Sequence, residues 1–390
     1  MPRRLPIPLP VASLILLAGS VAAATLPADH QAYIWQRVWN DKLAAATLAM
    51  ADDLAGYRVL IAEAQDASLH VFATDWRALA AARRPVTLVL RIPGFRPTFS
   101  TPVLVAAIDD ARAQAKAAGV DVRGVEIDHD CARSRLPAYA QALRALRGAL
   151  SRDVALSITV LPDWLQSSEL EAVLAGVDTS VLQLHAVLPP DTGLFDAALA
   201  LRWTRAYARR APHAFRVALP AYATRVSQDA AGRIIAIESE TQAPRFDADA
   251  RELQVDPRRL AVVIARLALA PPPRFAGYAW FRLPLGSDRR AYHQTTLRRL
   301  VRGEAVDATV VAFLVDNGAA GGFDVQLRNA SAIDALAPRH IDLPARCADG
   351  EGVAGYTRNA GGQLETAVAS VLRPGAVLTI GWLICAAEKL

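Results

Sequence analysis

The stretch Arg123-Gly124-Val125-Glu126-Ile127-Asp128-His129-Asp130-Cys131 constrains this chain more than any other. Successive side chains of a strand point to opposite faces, so Val125 and Ile127 take one face. Glu126 and Asp128 take the other, and Asp130 follows at the strand's exit. An apolar face suits packing against helices. Carboxylates on the opposite face are costly in an ordinary core, because an unpaired buried charge loses its hydration. A parallel β-barrel accommodates them near the carboxyl ends of its strands, where catalytic residues gather. The alternative for the same residues is a buried ion-pair network, since such networks also perturb acids.

The rest of the chain supplies the barrel. Extended segments at Ala32–Trp39, Tyr57–Ala64, Val86–Ile92, Val154–Leu161, Thr179–His185, Phe215–Leu219 and Phe275–Leu283 join the acidic strand. Helical segments separate them, at Leu43–Leu54, Pro102–Ala118, Pro137–Leu150, Phe195–Arg210 and Asp256–Leu269. Strands alternating with helices signal βα units and a parallel sheet, and eight units in roughly 275 residues match the usual barrel. The predicted fold class is α/β: a (β/α)8 TIM barrel over residues 25–303, followed by a small all-β, sandwich-like module over 304–390. In that module short strands alternate with Asn317-Gly318, Gly321-Gly322, Asp349-Gly350 and Gly361-Gly362. Alternation in Arg233-Ile234-Ile235-Ala236-Ile237 predicts a β-hairpin inserted at the barrel mouth, residues 223–240.

Residues 1–24 read as a signal peptide, with Arg3 and Arg4 before an apolar run and Ala22-Ala23-Ala24 at the cleavage site. The apolar run is too short for a span of about 20 residues. The expectation is therefore an exported protein, periplasmic or secreted, with no transmembrane span in the mature chain. In an oxidising compartment Cys347 and Cys385 can pair, leaving Cys131 as a packed thiol. The net charge of +5 comes from arginines scattered among acids, with no basic run and no interleaved aromatic platform, so nucleic acid is not an expected partner. No His-x-x-x-His or comparable ligand spacing occurs, and neither a metal nor another cofactor is expected.

Alternation sends ten polar or aromatic residues inward near the strand ends: Glu63, Arg91, Glu126, Asp128, Asp130, Gln183, His185, Tyr222, Trp280 and Arg282. In the second strand Val59, Ile61 and Glu63 share one face. In the eighth, Tyr278, Trp280 and Arg282 are read as inward, with Ala279, Phe281 and Leu283 outward. Asp128 and Asp130 lie close enough to disfavour simultaneous ionisation, so one keeps a proton near neutral pH. A protonated acid beside a charged partner is what cleavage of a glycosidic bond requires. Arg91 and Arg282 are expected to balance Glu63 and Glu126. Trp280, Tyr222 and the mouth-loop Trp164 offer flat apolar faces to sugar rings.

The run from Arg123 to Asp130 resembles, in spacing, the Asp-Gly-x-Asp-x-Asp-x-Glu motif on strand four of family 18 glycoside hydrolases. The resemblance implies that Asp130 is the general acid, that Asp128 orients the substrate's N-acetyl group as nucleophile, and that Glu126 supports them. It also places Trp280 where that family keeps a Trp under the sugar, and the insertion after strand seven resembles the family's. Arg123 stands where the family has its opening Asp, and Asp130 where it has Glu. Over about residues 30–300 the chain is also similar to an uncharacterised exported bacterial domain-of-unknown-function family, placed near these hydrolases by fold. Two functions follow: a glycoside hydrolase acting on a polysaccharide, with N-acetyl sugars as the resemblance implies, or a non-catalytic barrel of the envelope that binds glycan or protein.

Overall fold

A computed structural model describes residues 29–386 except 66–67, 95–99, 187, 190–192, 230, 232, 239–249, 289, 348 and 368–369. The signal-peptide reading lies outside the described residues.

Eight parallel strands close into a barrel: β1 (His30–Ile34), β2 (Gly56–Gln65), β3 (Val86–Arg91), β4 (Val122–Asp128), β5 (Ala155–Val160), β6 (Thr179–Gln183), β7 (Phe215–Pro220) and β8 (Phe275–Phe281). Closure comes from β1, which pairs with β2 on one side and with β8 on the other. Closing the sheet removes the edges that an open sheet leaves unpaired. Among the described residues eight α-helices return the chain outside the barrel: α1 (Asp41–Ala49), α2 (Trp76–Ala82), α3 (Thr101–Ala117), α4 (Leu136–Ala149), α5 (Leu170–Leu174), α6 (Ala197–Ala208), α7 (Pro257–Leu269) and α8 (Gln294–Arg302). Several starts carry sequence-coded caps. Asn40, Asp75, Asp196 and Asp256 each accept a hydrogen bond from a first-turn N–H that the helix itself cannot satisfy. α8 stops at Gly303, whose left-handed backbone suits glycine.

Two apolar layers follow from strand alternation. Outward residues such as Val59, Leu88, Ile127, Ile158 and Leu182 pack under the helices. A smaller inner cluster of Tyr33, Trp35, Leu60, Phe72, Val89, Val181, Ala218 and Ala279 fills the barrel. In β2 the register shifts between Leu60 and Ala62, so one residue is extra there. Val59 and Ile61 pack outward, yet Glu63 comes round to pair in register with Arg91.

After β7 the insertion is a three-stranded antiparallel sheet, in which Ala223–Gln228 is flanked by Ile234–Glu238 and Ala250–Gln254. The third strand was not visible in the alternation. The C-terminal module is antiparallel, with a four-stranded sheet of Val310–Asp316, Gly322–Asn329, Val377–Ile384 and Asp349–Gly352 beside two smaller sheets. A disulfide joins Cys347 to Cys385 in its core, and Cys131 is a buried free thiol. Among the described residues no helix is long and apolar enough to cross a membrane.

Candidate functional site

The carboxyl ends of the strands surround a cavity of about 150 Å³, lined by Tyr33, Trp35, Arg91, Asp128, Asp130, Thr159, Gln183, His185, Ala186, Ala218, Tyr222 and Phe281. Six residues expected from the sequence therefore meet here: Arg91, Asp128, Asp130, Gln183, His185 and Tyr222. Glu63, Arg91 and Asp128 are neighbours in register across β2, β3 and β4, an acid–base–acid row at the rim. Arg91 stands 3.5 Å from Glu63 and 4.0 Å from Asp128, with its guanidinium 5.7 Å from the centre of the Trp35 ring. Arg37 holds Glu63 from the other side at 2.9 Å.

Asp128 is buried, whereas Asp130 at the strand's exit keeps exposed surface at the rim. Burial pushes the Asp128 carboxyl well above the usual range, the neighbouring Asp130 charge adds to this, and Arg91 opposes it. Asp130 is raised too, by the protein packed around it and against the pull of Arg91. Its contact with water makes this the weaker displacement. The backbone holds Asp130 tightly: a Cβ on Gly94 at the exit of β3 would lie 1.9 Å from the Asp130 carbonyl oxygen.

Phe281 forms the floor. Its ring is stacked on His185 at 5.2 Å and meets the edges of Trp35 at 4.9 Å and Tyr222 at 5.2 Å. The Nδ1 of His185 lies 3.2 Å from the Tyr222 hydroxyl, and burial lowers the imidazole to a pKa of about 3, so it is neutral at ordinary pH. This neutral ring gives the cavity a hydrogen-bonding wall that adds no charge to Arg91, Asp128 and Asp130.

Five expected residues sit elsewhere. Glu126 lies beneath the cavity, fully buried, ion-paired with Arg58 and accepting a 2.7 Å hydrogen bond from Tyr33. It is balanced by Arg58, not by Arg91 or Arg282. Arg282 pairs with Asp288 beside a separate hollow. Glu63 stands behind Arg91. Trp164 is fully buried and donates its indole N–H to the Cys131 carbonyl at 2.9 Å. Trp280 is fully buried in the outer layer, with its indole N–H on His30 at 3.0 Å. The faces of β8 are thus opposite to the expected ones: Ala279 and Phe281 point in, Tyr278 and Trp280 out. With Tyr33 and Trp35 already filling the interior beside it, β8 turns small Ala279 inward and packs the Trp280 indole against His30 in the outer layer.

Tyr33, Trp35 and Phe281 are the aromatic residues that sequence reasoning missed. The first two alternate about Ile34, a signal that was present in an aromatic-rich strand. Among the described residues no group of three or more His, Cys, Asp or Glu is placed to hold a metal ion.

Residues 82–286 match the model of a family described as a domain of unknown function, DUF3142. The chain belongs to this family. A second model, DUF8456, also a domain of unknown function, matches residues 313–386 in the C-terminal module. The DUF3142 barrel is similar in fold to the spore cortex-lytic enzyme SleL of Bacillus cereus, at 17% identity and a TM-score of 0.50, covering 71% of this chain and 74% of that one. It is also similar to SleL of Bacillus megaterium, at 13% identity and a TM-score of 0.51, covering 71% and 74%. A chitinase from Bacteroides thetaiotaomicron matches at 12% identity and a TM-score of 0.51, over 70% of this chain and 95% of that one. At such identities the likeness is one of fold. No curated protein matches the chain.

Proposed function

We propose that the mouth of this barrel hydrolyses a glycosidic bond in a polysaccharide bearing N-acetyl sugars. One observation carries the reading: two neighbouring carboxyls, both raised by their surroundings, open onto one aromatic-floored cavity at the carboxyl ends of the strands. Asp128, the more strongly raised of the two, holds the shared proton at rest and passes it to Asp130 on the solvent side as substrate binds; Asp130 then gives it to the glycosidic oxygen as the bond to the anomeric carbon breaks. Asp128 accepts a hydrogen bond from the N-acetyl N–H and aligns that group's carbonyl oxygen to attack the same carbon. Water then attacks the anomeric carbon, reopens the cyclised N-acetyl group and passes a proton back to Asp130. Phe281 and Trp35 offer the sugar apolar surface, a part assigned from the sequence to Trp280. The Cys347–Cys385 disulfide suits an oxidising compartment and supports export.

A second reading rests on the Glu63–Arg91–Asp128 row. Charges already balanced within the protein suit a non-catalytic barrel that binds glycan or protein. One experiment separates the two. Purified mature protein is screened against envelope polysaccharides and chitin, measuring new reducing ends and binding, with Asp130→Asn alongside. New ends that vanish in the variant support hydrolysis. Binding without cleavage moves the assignment to a glycan-recognising barrel, and neither result leaves only the protein-binding reading.

A further inference from the structure

The cavity at the dyad, about 150 Å³, is smaller than the roughly 300–1,000 Å³ of typical ligand pockets. It can seat little more than the reacting sugar. A second hollow of about 620 Å³ adjoins it across Trp35, which lines both. The walls of the hollow come from the segment after β1, with Gln36, Arg37, Asn40, Asp41 and Lys42, and from the segment after β8, with Arg282, Leu285, Ser287 and Asp288. Gln36 ties the two walls together by donating to the Leu283 carbonyl at 3.3 Å.

Among the described residues from 282 to 290 the second wall has no helix or strand of its own. It is held from the C-terminal module. The Arg373 guanidinium donates to the carbonyls of Gly286 at 3.1 Å and Ala291 at 2.9 Å, and to that of Asp288. The Asp288 carboxylate in turn grips Arg282, the residue after Phe281. The module is seated by further bonds: the His293 N–H donates to Asp334 at 2.7 Å, and the Asp334 N–H to the Thr296 hydroxyl at 2.8 Å.

We propose that the C-terminal module completes the substrate groove, with Arg373 as the positioning residue that fixes the wall of a second subsite for the sugars flanking the reacting one. This rests on the glycan reading of the mouth. It makes the module part of the binding site and not an independent appendage.

The test uses the full mature chain and Arg373→Met, which keeps the apolar stem and removes the donors. Amide exchange across Leu285–Ala291 should quicken about tenfold, the loss expected when charge-assisted hydrogen bonds are removed. Affinity for the hexamer of N-acetylglucosamine should fall about tenfold while that for the dimer stays within about twofold. Ser287→Trp, which fills the exposed wall of the hollow, should weaken the hexamer selectively with exchange elsewhere unchanged. Unaltered exchange in Arg373→Met overturns the positioning role. Equal weakening of dimer and hexamer overturns the subsite. If the wild-type chain binds neither oligomer, the glycan assignment of mouth and hollow falls, while the exchange result still decides whether Arg373 holds the wall.

Discussion

Arg91 stands 4.0 Å from the Oδ2 of Asp128 and is its neighbour in register across β3 and β4. The guanidinium is the group that restrains the upward pull of burial on both Asp128 and Asp130. Without it both carboxyls rise further. Arg91→Met should therefore move both limbs of the kcat/KM profile to higher pH, as read in a buffer series at constant ionic strength. An unmoved profile would show that Arg91 serves Glu63 alone.

The raised carboxyl of Asp128 sets a stability trend of known sign. Its stabilising contribution is full below the unfolded value of about 3.9 and is lost as pH rises through the higher folded value, because the native state holds the proton longer. Asp128→Asn keeps a neutral group of the same shape. Its Tm should exceed the wild type's by roughly 2 °C at about pH 7, the size that ~1 kcal/mol gives a large domain. The difference should shrink toward pH 4 or so, where the wild type is also neutral. A Tm gap that does not change with pH would remove burial of the charge as the cause.

Below the cavity, Glu126 is fully buried against Arg58. Breaking one side of such a pair strands the other charge, so Arg58→Met should destabilise the fold by about 3–5 kcal/mol. The double variant Arg58→Met/Glu126→Leu should recover much of that loss, since no buried charge remains. Denaturant midpoints for the four proteins of the cycle give the coupling directly. Simple additivity would mean that the two residues do not act as a pair.

Gly94 is the contact that fixes the backbone of Asp130. With its missing Cβ position 1.9 Å from the Asp130 carbonyl oxygen, Gly94→Ala must push the two segments apart. A displacement of about 1 Å at a reacting group can remove a hundredfold in rate. The expected outcome is a fall in kcat of that order with KM changed little, measured on the substrate that the polysaccharide panel identifies.

Much of the site was legible because its carboxylates lie at the end of one strand and just past it. The period of two carries Asp128 toward the mouth, and Asp130, two residues on and past the strand's end, emerges at the same rim. Gln183 at the end of β6 and His185 just past it both line the cavity. Glu63 was a harder case. It shares the parity of Val59 and Ile61, and only the extra residue in β2 turns it toward Arg91. Of the ion-pair partners, Arg91 beside Glu63 was legible, whereas the partner of Glu126 was not. Arg58, 68 residues before Glu126, is brought under it by the curvature of the closed barrel.

The sequence by itself determined eight strand–helix units, an all-β tail and an acidic strand whose carboxylates had to face something other than an apolar core. These are local properties, set by periodicity, turn residues and caps, and they survive in any tertiary context. Only the tertiary structure decided which face of β8 points inward, because alternation defines two faces without naming them. Packing beside Tyr33 and Trp35 turned Ala279 and Phe281 inward, the bond to His30 keeps Trp280 in the outer layer, and that layer took Trp164 as well. The same long-range closure chose Arg91 for Asp128, Arg58 for Glu126 and the distant Arg373 for the wall beyond Trp35.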